Sequence, residues 1–252
     1  MLNLLKMDLY RLFRRKTLYV MIAALSAVTL SMLFLAEPST LTISSILGVM
    51  NGVSMDNFMT AANGLGLVYT LMCIMLSFFV CDDFSSGFAK NIFTVHAGKF
   101  DYISSKIVSM MAGSAVLMVV SLVESLVFCA ISGVAVGSVG GIALFWVEKW
   151  ILSAPFAAAI LFLSLWVRNK GLGFLFACLL GTGGLVMGIQ WGFEALHFPY
   201  ASQVLSFTMY GASTIPSLTF QMGEVPHIVL AAVVWVVFYS ALSAVVLKKK
   251  DV

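Results

Sequence analysis

The apolar run LGLVYTLMCIMLSFFVC at residues 65–81 is followed by the charged segment DDFSSGFAKNIFTVHAGKFDYISSK at residues 82–106. Another apolar run begins directly afterwards and extends over residues 107–131. A helix of about 20 apolar residues is long enough to cross the hydrocarbon core of a bilayer. The two runs therefore predict two transmembrane helices that are joined by a polar segment on one side of a membrane.

The same alternation continues along the chain and predicts the fold class. Of the 252 residues, 61% are hydrophobic and 10% are charged, whereas about 25% are charged in a typical soluble domain. We expect an all-α integral membrane protein that forms a single transmembrane domain over residues 1–252 in a lipid bilayer, with no nucleic-acid partner. Six transmembrane helices are expected at about residues 18–36, 62–81, 107–131, 148–167, 171–191 and 227–247.

The basic residues predict the side of the membrane on which each connection lies, because Lys and Arg next to a span resist translocation. In a six-span topology, thirteen of the 14 Lys and Arg residues fall on one side, and Lys149 falls in a loop on the other. Both termini and residues 82–106 are therefore expected in the cytoplasm. Residues 192–226 are expected outside, as short helices in the outer interface. The glycine-rich residues 133–145 could extend a span, form a loop or dip into the membrane.

The first 17 residues predict an amphipathic helix that lies on the inner leaflet. Apolar side chains recur at helical spacing, and the bases are expected near anionic head groups. The apolar residues are Leu2, Leu5, Leu9, Leu12 and Phe13, and the bases are Arg11, Arg14 and Arg15. The alternative is a basic flank that serves only to orient the first span.

Aromatic residues within the cytoplasmic segment are spaced as on one face of a short helix. They are Phe84, Phe88 and Phe93, together with Ile92. Such a face could dock into a groove on a partner protein. Equally, these side chains could dip into the inner leaflet.

Two further features lie within the predicted spans. Glu124 is an acid deep in the third span, where a charge is costly, so it should face protein or water. It either lines a pathway or makes an interhelical hydrogen bond with a Ser, Thr or Gln of a neighbouring helix. Gly184 and Gly188 form a GxxxG pair in the fifth span, which would permit close helix approach.

The sequence contains no nucleotide-binding motif and no HExxH or other metal set in a polar segment. Its four cysteines form no CxxC pair and are expected to be packing residues. We therefore expect a protein that is not an enzyme, with no catalytic residue, metal or cofactor in this chain. If the protein performs active transport with ATP, the ATPase must be a separate chain.

The order of parts resembles the membrane subunits of ABC-2 type ABC transporters, especially small six-span bacterial permeases that export peptides or confer immunity to peptides such as lantibiotics. The most specific stretch is DDFSSGFAKNIFTVHAGKFDYISSKI at residues 82–107. The resemblance implies that residues 84–94 form a coupling helix and that residues 1–16 form a connecting helix beside it. The implied ATPase-docking residues are Phe84, Phe88, Lys90, Asn91 and Phe93.

The resemblance also implies the partners and the location. It implies a second permease chain, identical or related, and ABC ATPase subunits that bind ATP and Mg, in a bacterial cytoplasmic membrane. Cargoes of the family include lipids, polysaccharides, drugs and peptides, and the apolar interior here favours a hydrophobic or amphipathic one. The competing classes are a stand-alone secondary transporter or channel and a non-transporting component of a sensor complex.

Overall fold

The computed structural model describes residues 2–35, 66–94, 98–132, 139–197, 200–214 and 225–249. These residues are almost entirely helical and include no strand, which confirms the predicted all-α class for this part of the chain. In chain order the helices are α1 (Leu2–Arg14), α2 (Lys16–Leu35), α3 (Gly66–Ser85), α4 (Phe88–Thr94), α5 (Lys99–Ser132), α6 (Val139–Val167), α7 (Lys170–Gly181), α8 (Gly184–Ala195), α9 (Ala201–Ser206), α10 (Met209–Thr214) and α11 (Val225–Lys249).

Helix α3 lies at the centre of the bundle. It is apolar on every side, and most residues between Val68 and Asp83 are buried. A helix with no polar face is stable only where neighbours surround it. Helices α2, α5, α6 and α7 supply those neighbours, while α11 packs along α6 and presents most of its other residues outward.

Four described helices are long and apolar enough to cross a membrane, namely Gly66–Ser85, Lys99–Glu124, Gly140–Val167 and Val225–Lys249. The pair α7 and α8 would add a fifth if it forms one bent span. A shorter apolar helix, Lys16–Val28, lies within α2, and the side chains of α2 beyond Val28 lie outside the described part of the chain. The described part of the chain thus contains a multi-pass helical bundle, but the predicted count of six spans is not confirmed.

The predicted fifth span at residues 171–191 is not a straight helix. Helices α7 and α8 meet at an angle of 72°, and Gly183 between them has a positive φ of 77°. An L side chain disfavours this backbone conformation, so glycine makes the sharp break possible. The count of apolar residues that predicted this span does not record the break, and whether the bent pair crosses the membrane as one span stays a prediction.

The close approach of helices falls on glycines other than the predicted GxxxG pair. A Cβ atom added to Gly181 would lie 2.4 Å from the Thr70 Cα atom, and one added to Gly173 would lie 2.3 Å from the Ser77 hydroxyl. In contrast, nothing lies within 4 Å of a Cβ added to Gly188. The small residues that matter in this region therefore pack α7 against α3 within one chain.

Helix α6 begins earlier than the predicted fourth span. Residues 139–145 of the glycine-rich segment belong to it, so this part extends a helix, while residues 133–138 lie outside the described residues. Lys149, predicted to lie in an outer loop, is buried within α6, as is the neighbouring Glu148. Lys149 was assigned to a loop because it comes directly before the apolar run at residues 150–167.

The two ends of the bundle are named after the helices that lie there. At the α1 end, α1 packs on α5, and the Lys99 ammonium donates to the Leu247 carbonyl of α11 at 2.9 Å. At the opposite end, which we call the α10 end, α10 packs on α6 and α11. Residues 36 and 62–65 of the first two predicted spans, and residues 198–199 and 215–224 of the predicted outer segment, lie outside the described residues.

Candidate functional site

The predicted docking residues lie at the α1 end, on two helices rather than one. Phe84 is in the last turn of α3, whereas Phe88, Lys90, Asn91 and Phe93 are on α4. Gly87 separates the helices with a positive φ of 73°. The single helix expected over residues 84–94 was therefore wrong, because a left-handed glycine turn ends α3 and sets α4 at a new angle.

The aromatic side chains of this region face the chain itself. The rings of Phe93 and Phe84 lie 5.3 Å and 6.5 Å from that of Tyr102 on α5, and the Phe88 ring lies under the guanidinium group of Arg11. Lys90 and Asn91 are exposed. The outward face of α4 is consequently polar and basic, and its aromatic face is largely covered by α1, α3 and α5.

A buried ion cluster joins α1, α3 and α5 next to α4. The Lys106 ammonium lies 2.7 Å from the Asp8 carboxylate and 2.6 Å from that of Asp83, and all three side chains are fully buried. Arg11 lies 2.7 Å from Asp83 and 3.7 Å from Asp8. These two acids and two bases balance in charge, as a buried cluster requires if no charge is to remain uncompensated.

Neutral donors complete the coordination of the two carboxylates. The Ser105 hydroxyl donates to Asp8 at 2.7 Å, and the Tyr102 hydroxyl donates to Asp83 at 3.2 Å. Each acid therefore accepts bonds from both a cation and a hydroxyl, so little of its hydrogen-bonding capacity is left unused.

Aromatic rings enclose the cations of the cluster. The Arg11 guanidinium carbon lies 3.7 Å from the centroid of the Phe88 ring and 5.3 Å from that of Phe79. The Lys106 ammonium lies 4.1 Å from the centroid of the Phe79 ring. Arg11 is thus the side chain on which α1, α3 and α4 meet, since it pairs with acids on one side and stacks on α4 on the other.

A second, more exposed group of charges lies beside the first. Asp82 accepts from Arg15 at 2.8 Å, and the Lys170 ammonium at the start of α7 lies 2.5 Å away. Arg11 and Arg15, expected near lipid head groups, therefore pair with the acids at the end of α3. Arg14 is exposed, and its guanidinium donates to the Tyr10 hydroxyl on the same exposed face.

The face of α1 that is buried also differs from the expected apolar stripe. Leu4, Asp8 and Leu12 are buried against the bundle, while Leu2 and Phe13 are exposed. The prediction took every apolar residue as one face. It missed Asp8, which lies one turn from both Leu4 and Leu12 and so shares their side of the helix.

The family model described as ABC-2 family transporter protein matches residues 4–184, which is more than half of the 252-residue chain. The chain belongs to the ABC-2 transporter family. Membership identifies it as a multi-pass membrane protein of the ABC transporter permease type and implies association with an ABC ATPase. No curated protein matches the chain.

The matched region of this ABC-2 family member contains the whole ion cluster and α4, and it ends at the first residue of α8. The last helices, α9, α10 and α11, lie beyond it.

Glu124 of the ABC-2 protein lies between α5 and α2. The Ser26 hydroxyl donates to its carboxylate, and the two residues are 98 positions apart. This geometry matches the interhelical alternative considered above, because the partner is a serine of a neighbouring helix. The group is half-buried, and its role in transport stays a prediction.

No group of three or more His, Cys, Asp or Glu side chains that could hold a metal ion occurs among the described residues. Cys73 and Cys81 are buried as free thiols, and Cys178 is partly buried. The chemical content of the α1 end is thus a set of charge pairs and stacked rings, which can position helices and transmit their movement.

Proposed function

We propose that the chain is the membrane-spanning permease subunit of an ATP-driven ABC exporter, and that α4 is the helix that docks a separate ATPase. The observation that carries the proposal is the placement of α4. It is a short helix turned away from α3 at Gly87, clamped on its inner side by Arg11, and open on its outer side at Lys90 and Asn91.

The clamp supports a coupling role because it links α4 to the spans. Phe88 stacks on Arg11, and Arg11 pairs with Asp83 at the end of the central helix α3. Asp83 pairs in turn with Lys106 at the start of α5. A displacement of α4 by an ATPase would therefore move the ends of two long helices rather than a loop alone.

The distribution of charge supports a cytoplasmic position for the α1 end. The bases Arg14, Lys90, Lys99, Lys170 and Lys248 all lie near this end. Positive residues beside spans are retained in the cytoplasm. Both termini would then be cytoplasmic, in a bacterial cytoplasmic membrane, with the ATPase below α4.

The remaining parts of the assembly follow from the same proposal. Two permease chains, identical or related, would form the path, and the ATPase subunits would bind ATP and Mg. The cargo would be hydrophobic or amphipathic, such as a peptide, drug or lipid, because fixed charges are few along the apolar helices. Immunity to antimicrobial peptides is one role that fits this cargo class.

Co-purification with candidate ABC ATPases from the same genome tests the docking face. We expect Lys90→Glu to reduce the retained ATPase by about tenfold or more, since a reversed charge at an interface is repelled by its former partner. The matched control is Lys249→Glu, a charge reversal at an exposed lysine at the same end of the bundle but away from α4.

The docking proposal fails if Lys90→Glu and Lys249→Glu retain equal amounts of ATPase. The exporter proposal fails if the isolated chain, reconstituted in vesicles, transports under a proton gradient without ATP. Substitutions of Phe88 or Phe93 by Asp are less informative, because both rings pack against the chain itself.

A further inference from the structure

The connection between α6 and α7 contains an arginine whose donors lack an acceptor. The Nε and Nη2 atoms of Arg168 are buried and make no hydrogen bond within the described part of the chain. The guanidinium carbon of Arg168 lies 4.5 Å from the centroid of the Phe84 ring. A ring attracts a cation, but it offers no lone pair to the N–H donors. Two nitrogens of this group are therefore left unsatisfied.

An arginine in this state is costly for the protein. The guanidinium group cannot be deprotonated in a protein, so the cost is not avoided by loss of a proton. Burying a donor without an acceptor costs free energy, and a charged donor costs more than a neutral one. Arg168 also has a positive φ of 53°, which an L side chain disfavours. These costs indicate an acceptor that comes from outside the chain.

The charges around Arg168 are out of balance. The buried ion cluster of α1, α3 and α5 is neutral by itself. Beside it, Asp82 is paired with both Arg15 and Lys170, and Arg168 adds a third base. One acid among three bases leaves an excess of two positive charges in this region of the described chain. The group that completes the region is therefore an anion.

The first turn of α7 does not form the anion site by itself. The side-chain oxygen of Asn169 accepts from the amide nitrogens of Gly171 and Leu172 at 2.8 Å and 3.4 Å. This cap uses amide groups that could otherwise hold an anion. Recognition thus falls on the guanidinium group of Arg168 and on the ammonium group of Lys170, whose side chain is 57% exposed.

An apolar surface begins directly beside these positive groups. Leu172, Leu175 and Leu179 are exposed, and their spacing places them on one side of α7. Helix α7 leads away from the α1 end along α3, so this apolar side follows the helix into the bilayer. Trp166 is also exposed, and tryptophan is enriched at the depth of lipid head groups. A ligand that fits both features has a negative head group and an apolar tail.

We propose that Arg168 binds the phosphate of an anionic phospholipid in the leaflet at the α1 end, and that Leu172, Leu175 and Leu179 contact its acyl chain. Arginine suits this role because its fork of N–H donors matches the oxygens of a phosphate group. A free phosphate ion shares the head-group chemistry, but it makes no use of the apolar side of α7. The proposal goes beyond the exporter function, and its main test needs no ATPase.

The experiment measures lipid binding to the full chain by native mass spectrometry. The purified chain in detergent micelles is titrated with phosphatidylglycerol, or with phosphatidylcholine that carries the same acyl chains and no net charge. We expect the Kd for phosphatidylglycerol to be about tenfold lower, because a charge-assisted hydrogen bond contributes affinity of that order. Equal Kd values for the two lipids overturn the proposal.

Arg168→Met should raise the Kd for phosphatidylglycerol by about tenfold, since it removes the charge and all of its donors. Arg168→Lys keeps the charge but loses the planar fork, so its Kd should rise severalfold. This variant provides the answer if Arg168→Met does not fold. An unchanged Kd in a folded variant of either kind overturns the assignment to Arg168.

The matched control is Arg14→Met, which removes an exposed arginine of α1 at the same end of the bundle. Its Kd for phosphatidylglycerol should stay within about twofold of the unchanged chain, because a single exposed charge is screened by salt. If Arg14→Met and Arg168→Met weaken binding equally, the lipid is attracted by the overall positive charge and the proposed site is refuted.

Two further measurements distinguish a lipid from other anions. A phosphatidylglycerol with a diazirine in its acyl chain should cross-link to residues 172–179, and more weakly in Arg168→Met. Equal labelling in the two proteins overturns the acyl-chain contact. Inorganic phosphate in excess should leave the lipid bound. Its displacement by phosphate alone would show a site for the free ion and overturn the lipid assignment.

An acidic surface of an ABC ATPase is the competing occupant of Arg168. The lipid should remain bound when the chain is co-purified with its ATPase, and Arg168→Met should retain as much ATPase as Arg14→Met does. If the ATPase displaces the lipid and Arg168→Met retains less ATPase, Arg168 binds the ATPase and the lipid assignment is wrong. That outcome would leave the docking proposal for α4 intact.

Discussion

Asp8 and Lys106 form a fully buried ion pair between α1 and α5, with 2.7 Å between the carboxylate oxygen and the ammonium nitrogen. The two residues are 98 positions apart in the sequence. Asp83 shares the same ammonium at 2.6 Å. The pair fixes the N-terminal helix to the bundle at the end where α4 lies, and it leads to the first two predictions.

Lys106→Met should lower the free energy of unfolding by about 3–5 kcal/mol, because it leaves the buried Asp8 and Asp83 with only Arg11 to balance them. Unfolding in mixed detergent micelles measures the change. Lys170→Met is the control, since its pair with Asp82 is largely exposed and should contribute about 0–1 kcal/mol. Equal losses of unfolding free energy in the two variants would contradict the stabilising role of the buried cluster.

Asp8→Asn combined with Lys106→Met should cost less than the sum of the single changes. The double variant leaves Asp83 paired with Arg11, so the remaining charges balance. A coupling of about 0.5–3 kcal/mol is typical of residues in one network. Strict additivity in a double-mutant cycle would show that the two side chains do not interact.

Arg11→Met should release α4 from the bundle. The substitution removes the stack on Phe88 and the pair with Asp83, so amide hydrogens of residues 88–94 should exchange faster with deuterium. Arg14→Met on the exposed face of the same helix serves as the control and should leave this exchange unchanged. If the amide hydrogens of residues 88–94 exchange at the same rate in both variants, Arg11 does not hold α4 against the bundle.

Gly181→Ala should destabilise the fold by about 1–3 kcal/mol, because its Cβ would overlap the backbone of Thr70 and force α7 away from α3. Gly188→Ala is the matched control. Its added methyl group meets open space in an exposed part of α8, and the change should be neutral or gain up to about 1 kcal/mol in helix propensity. Thermal unfolding compares the stability of the two variants. A larger loss of stability in Gly188→Ala than in Gly181→Ala would refute the close packing of α7 on α3.

Glu124→Gln should retain the fold, because an amide oxygen can accept the hydrogen bond that Ser26 now donates. Ser26→Ala should cost about 0.6 kcal/mol, the average for a hydrogen bond between membrane helices. Unfolding in micelles measures the stability of both variants. A loss of ATP-driven transport in Glu124→Gln with normal stability would favour the pathway role instead.

Much of the fold could be predicted from local patterns. Apolar runs predicted long helices, whereas the turn at Gly87 falls inside the single helix that was expected over residues 84–94. The bend between α7 and α8 and the burial of Lys149 could not be predicted in the same way. A one-dimensional count of apolar residues records neither a positive φ at Gly183 nor the acceptor that α10 offers to a lysine.

The candidate site was predicted only in outline. The resemblance implied residues 84–94 as the docking segment, and the structure places Lys90 and Asn91 on the exposed side of α4. The contact of Arg11 with Phe88 on the inner face of α4 was not predicted. Asp8, Asp83 and Lys106 are unremarkable in the sequence, because their significance depends on three helices that bring them within hydrogen-bonding distance.

The sequence by itself determined that this protein is a helical membrane protein and that its basic residues gather at one end, because apolar length and charge are properties of the chain. Only the tertiary structure decided which charges face one another. Arg11 was expected at lipid head groups and instead stacks on Phe88 and pairs with Asp83. An ion pair forms where burial removes competing water, and burial is set by the packing of α1 against α3 and α5 rather than by the order of residues.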